Sequence, residues 1–133
     1  MEYLIGTLLC LAIVALAYIV GFDRERAYYS TALIVIAAYY VLFAAMAASG
    51  RILITEIIFA CVFLLFAVVG FRTNLWLVAI GLVGHGVFDF VHYLFIQDPG
   101  VPQWWPGFCG TVDVIFGGVA AVHLIRRRVA VRQ

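Results

Sequence analysis

Five runs of roughly twenty mostly apolar residues, separated by short charged or proline-bearing connections, constrain this chain more than any other feature. A helix rises about 1.5 Å per residue, so each run is long enough to cross a hydrocarbon layer about 30 Å thick. Only structures that satisfy every backbone N–H and C=O internally survive there. The fold class expected is therefore all-α, an integral membrane bundle of five transmembrane helices forming a single domain over residues 1–133. The expected spans are Tyr3 to Phe22, Ala27 to Ser49, Ile52 to Phe71, Leu75 to Ile96 and Phe108 to Ile125. The connections are too short for a soluble domain, and no repeat or low-complexity segment stands out.

Arginine placement orients the bundle. With five spans, Arg24, Arg26, Arg72, Arg126, Arg127, Arg128 and Arg132 fall on one side and Arg51 alone on the other. Basic residues concentrate on the cytoplasmic side of membrane proteins, so the expected topology is N-terminus outside and C-terminus cytoplasmic. Four or six spans would scatter the arginines. The connection from Gln97 to Gly107 is then external; it contains Pro99, Pro102 and Pro106 and no basic residue. Trp104 and Trp105 within it fall where an interfacial aromatic belt is expected, or where a lid would cover a site.

Composition agrees with this reading and excludes others. Hydrophobic residues make up 67% and charged residues 11% of the chain, far from the balance of a soluble domain. No basic block suits a nucleic acid; the partner expected is membrane lipid, with a hydrophobic small molecule as a candidate ligand. The start Met1-Glu2-Tyr3 lacks the positive segment of a cleaved signal peptide, so the first run is expected to be retained as a helix. Cys10, Cys61 and Cys109 form no C-x-x-C pair. Cys10 and Cys61 lie in apolar runs, where a free thiol behaves as a small hydrophobe.

Ionisable groups inside a membrane are rare, and each raises a functional question. They are Glu56, His85, Asp89, His92 and Asp113. Counted from the external ends of their helices, Glu56 and His92 lie about 6 Å deep, Asp113 about 8 Å, Asp89 about 10 Å and His85 about 16 Å. All five thus belong to the outer half or the midplane. The spacing His85-x3-Asp89-x2-His92 sets three polar groups within an arc of about 60° on the fourth helix. On the fifth, Gly110, Asp113, Gly117 and Ala120 recur at helical spacing, and small residues let helices approach closely. The expected assembly sets Asp113 against Asp89 and His92, with Glu56 closing the cluster and Tyr39 or Tyr40 adding a hydroxyl. No strict GxxxG signals self-association.

Several chemistries fit these residues. His nitrogens and carboxylate oxygens suit zinc, iron or manganese, with His85, Asp89, His92 and Asp113 as ligands. Alternatively His85, Asp89, His92, Asp113 and Glu56 serve a metal-free acid–base enzyme on a lipid-like substrate, since burial favours the uncharged forms of acids and of His alike. A ligand-binding module would use the same groups without turnover. A proton relay or transporter would need groups on the inner side, where only His123 is found, and His123 reads as capping the inner interface. The same groups can also pair simply to fix helix register.

Two resemblances add to this. His85-x3-Asp89, Glu56, Asp113 and Trp104 or Trp105 resemble the arrangement in sterol isomerases of the emopamil-binding kind, although Asp stands where those have Glu. That resemblance implies acid–base isomerisation of a sterol-like molecule. The run Gly84-His85-Gly86-Val87-Phe88-Asp89-Phe90-Val91-His92, followed by Pro102 to Cys109 and Asp113, looks like an uncharacterised family of small bacterial integral membrane proteins. It implies a multi-pass protein of a bacterial inner membrane and supplies no substrate.

Overall fold

The computed structural model describes residues 1–47 and 49–126. Among the described residues the architecture is all-helical: α1 (Glu2–Val20), a 3-10 turn (Phe22–Arg24), α2 (Arg26–Ala47), α3 (Gly50–Arg72), α4 (Trp76–Phe95) and α5 (Trp105–Ile125). All five α-helices are long and apolar enough to cross a membrane, and the chain is a multi-pass membrane protein. Exposed side chains such as Leu4, Leu8, Ile54, Leu65 and Ile80 belong on such a surface, because lipid is as apolar as they are.

Helix ends differ from expectation by a few residues, each for a local reason. Ser49 ends no helix; it is the N-cap of α3, its side chain accepting from the Ile52 N–H. The Asn74 side chain accepts from the Trp76 N–H and starts α4 there. The largest difference is α5, which begins at Trp105 rather than Phe108. Pro106 sits in its first turn, where a missing N–H costs nothing. Trp105 is consequently helical and packs on α2, against Tyr39 (5.0 Å between ring centroids) and Phe43 (4.9 Å), while Trp104 stays exposed.

Packing proceeds in the order α1, α5, α4, α3, α2, with α2 also touching α4. The antiparallel α4–α5 pair is the most extensive contact. A Cβ on Gly86 would stand 2.8 Å from the Gly110 carbonyl oxygen, and one on Gly110 would stand 3.0 Å from that of Gly86. The two backbones touch at that level because neither residue has a side chain. The Arg26 guanidinium donates to the Phe71 carbonyl (2.7 Å), and His123 approaches Asp23, so residues 23–26, 71 and 123 share one end of the bundle. Arg24, Arg26, Arg72 and Arg126 therefore cluster at this arginine-bearing end, and Arg127, Arg128 and Arg132 lie outside the described residues. The apolar core, including Leu33, Val78, Leu82, Phe116 and Ala120, fills the half of the bundle nearer this end. The other half holds the polar residues, beneath the connection from α4 to α5.

Candidate functional site

Helix α4 turns one face wholly inward: Val78, Leu82, His85, Asp89 and His92 are all buried. His85 is 1% exposed, Asp89 0% and His92 2%; Asp113 on α5 is 0% and Glu56 on α3 is 1%. All five sequence-chosen residues thus enter the bundle interior, but they divide into two groups.

The deeper group joins α4 to α5. His85 Nδ1 lies 2.7 Å from Asp113 Oδ2 and 3.7 Å from Asp89 Oδ2. One ligand atom from each of His85, Asp89 and Asp113 can be chosen so that all lie within 4.8 Å of one another, a spacing that could hold a metal ion. Among the described residues neither Asp89 oxygen, nor Asp113 Oδ1, makes a well-formed hydrogen bond. The Tyr40 hydroxyl lies beside Asp89 without closing a hydrogen bond of good geometry to it. The donor types suit a transition metal. The 3.7 Å separation is close to the roughly 3.3 Å between two ligands of one tetrahedral zinc, whereas the 2.7 Å contact is a hydrogen bond and would have to open.

The second group joins α4 to α3. His92 Nε2 lies 2.6 Å from Glu56 Oε1, and the Tyr40 ring stacks on the imidazole at 4.2 Å and 27°. His92 thus meets Glu56, rather than the Asp113 that the spacing had set against it. Of the two candidate tyrosines, Tyr40 reaches the polar groups, while Tyr39 packs on Trp105.

Above these residues, under the 96–104 connection, is a cavity of about 590 Å³. Glu2 and Tyr3 of α1, Phe90 and Tyr93 of α4 and the prolines of the connection wall it, and His92 reaches it from below. Gly100 seats the connection on the end of α2, since a Cβ there would stand 2.2 Å from the Phe43 carbonyl oxygen. His85, Asp89, Asp113 and Glu56 do not line the cavity. A separate apolar groove of about 600 Å³ opens between α1 and α2, floored by Val112 and Phe116, and none of the five polar residues lines it.

Two features escaped the sequence. Cys109 lies one turn before Asp113 and is buried, its thiol donating to Asp113 Oδ2 at 3.9 Å. The spacing Cys109-x3-Asp113 was the available signal. At the arginine-bearing end, the Tyr29 hydroxyl and His123 Nδ1 share a hydrogen bond (2.5 Å), and Asp23 Oδ2 lies 3.7 Å from the same nitrogen. His123, in the last turn of α5 at this end, is also a buried partner within the bundle. Nothing in the pattern of the sequence links the three, which come from a turn and two helices distant along the chain.

Fold and site together define a small multi-pass membrane protein with a His/Asp cluster sealed inside one half of the bundle. Residues 54–122, which include α4, most of α3 and the greater part of α5, match the family described as a short repeat of unknown function (DUF308), and the chain belongs to that family. No curated protein and no solved structure matches it.

Proposed function

We propose that this protein is a membrane enzyme that takes an amphipathic, lipid-like molecule from the outer side of a bacterial inner membrane, and that its His85–Asp89–Asp113 cluster holds one divalent metal ion. The observation that carries the reading is the set of orphaned oxygens: both of Asp89 and one of Asp113, fully buried and without a well-formed hydrogen bond among the described residues. Buried polar atoms are nearly always satisfied, and unpaired buried charge is costly. His92 and Glu56 balance one another, one base against one acid. His85 faces two carboxyls, so with a neutral imidazole that set is short of two positive charges. A divalent ion supplies them and satisfies the orphaned oxygens together. His92, at the cavity floor and backed by Glu56, is the group placed to exchange a proton with a molecule in the cavity. The single-domain organisation and the N-outside topology belong to the same reading.

A second reading has its own support. The 2.7 Å His85–Asp113 contact is already a good hydrogen bond, and a proton held on Asp89 would balance the charge without a metal. The cluster would then serve metal-free acid–base chemistry, in keeping with the resemblance to emopamil-binding-type isomerases carried by Glu56, His85, Asp89 and Asp113. Elemental analysis of protein purified without chelator separates the two. One metal per chain, lost in Asp113→Asn and His85→Ala, is the result expected. Folded, metal-free wild-type protein that converts a sterol or terpenoid would replace the first reading with the second, and absence of both metal and turnover would overturn both.

A further inference from the structure

Cys109 belongs to the proposed metal site, although its sequence context is that of an ordinary buried thiol. The α4–α5 contact repeats one pattern from both sides. His85 and Asp89 are spaced i, i+4 on α4, and Cys109 and Asp113 are spaced i, i+4 on α5. Residues so spaced lie one above the other on a helix face. The glycines that bring the two backbones into contact are the residues immediately after His85 and Cys109, Gly86 and Gly110. The pairs are thus apposed where the helices are closest. The thiol is buried and donates to Asp113 Oδ2 at 3.9 Å. Two ligands of a tetrahedral zinc, one sulfur and one oxygen, stand about 3.6 Å apart, so the thiol is already near ligand spacing from Asp113. The sulfur lies outside the His85, Asp89 and Asp113 atoms that fall within 4.8 Å of one another, and the thiol must turn about its Cα–Cβ bond to share their ion.

We infer that Cys109 is the fourth ligand of this site, making it a His-Asp-Cys-Asp set from two helices that selects a thiophilic ion of the zinc type over magnesium, calcium or manganese. The inference rests on the metal reading above. Thiolate donors favour zinc, whereas all-oxygen sets favour the harder ions. Metal binding requires the thiolate, so the thiol proton is released to water as the ion enters. The ion then carries Cys109 thiolate, two carboxylates and a neutral His85, a set with one net negative charge. Four protein ligands close the coordination shell, as in structural zinc sites. The ion accordingly fastens α4 to α5, and proton exchange with a molecule in the cavity falls to His92 and Glu56.

Cobalt(II) reports each part separately. Added to metal-free protein in detergent, it should give visible ligand-field bands, which report binding, and a near-ultraviolet thiolate-to-cobalt charge-transfer band, which reports sulfur. The charge-transfer band should vanish in Cys109→Ser and persist in Cys10→Ser and Cys61→Ser. Ligand-field bands without the charge-transfer band would overturn the role of Cys109 and leave the metal reading standing. No bands at all would overturn the metal reading itself. Should Cys109→Ser not fold, zinc X-ray absorption on the wild-type protein decides, with one sulfur at about 2.3 Å expected and a shell of nitrogen and oxygen alone refuting the assignment.

Discussion

Replacing Gly86 with Ala should separate α4 from α5 at the level of the polar cluster. The new Cβ would stand 2.8 Å from the Gly110 carbonyl oxygen, 2.8 Å from Val114 Cγ2 and 3.1 Å from Asp113 Cβ. Ordinary contact begins at 3.4 Å, so the helices must part by several tenths of an ångström. The Val114 methyl can turn away, but the carbonyl is helical backbone and cannot. Overpacking of this kind costs about 1–3 kcal/mol. Gly84, two residues earlier on the same helix, is an internal control, for a Cβ there meets nothing within 4 Å. Gly84→Ala should be neutral or stabilising by up to about 1 kcal/mol, the usual gain of Ala over Gly within a helix. Reversible unfolding of both variants in mixed micelles gives the comparison. Gly86→Ala should unfold at lower denaturant with an unchanged slope, and Gly84→Ala should not. If the two variants shift alike, the close approach of α4 and α5 is not what holds this pair together.

Two further outcomes are expected. His92→Leu leaves Glu56 buried without its partner and should cost about 3–5 kcal/mol, whereas His92→Leu combined with Glu56→Leu should recover most of the loss; a double variant as unstable as the sum of the two single ones would show that the 2.6 Å pair does not couple them. For topology, a C-terminal reporter that works only in the cytoplasm should be active after Gln133, and a periplasmic reporter active at that position would refute the arginine argument.

The number of helices and their membrane character followed from sequence because both depend on local quantities: the length of each apolar run and the charges that close it. The inward face of α4 was equally legible, since His85, Asp89 and His92 share a side of any helix whatever packs against it. The start of α5 was misplaced by three residues because Pro106 reads as a loop signal, although a first turn accepts it. Pairing across helices was another matter. Spacing along α4 fixes an angle about its axis but not the neighbour that the angle faces. Only the packing order decided that His92 meets Glu56 of α3, that His85 meets Asp113 of α5, and that Cys109 joins the latter. Likewise, Asp23, Tyr29 and His123 are charges and rings at three helix ends until the bundle closes and buries them together. The sequence determined which groups must leave the lipid, because burial of polar atoms in hydrocarbon is costly wherever they lie; the tertiary structure decided which partners satisfy them, because hydrogen bonds and metal ligation act over a few ångströms that only helix packing sets.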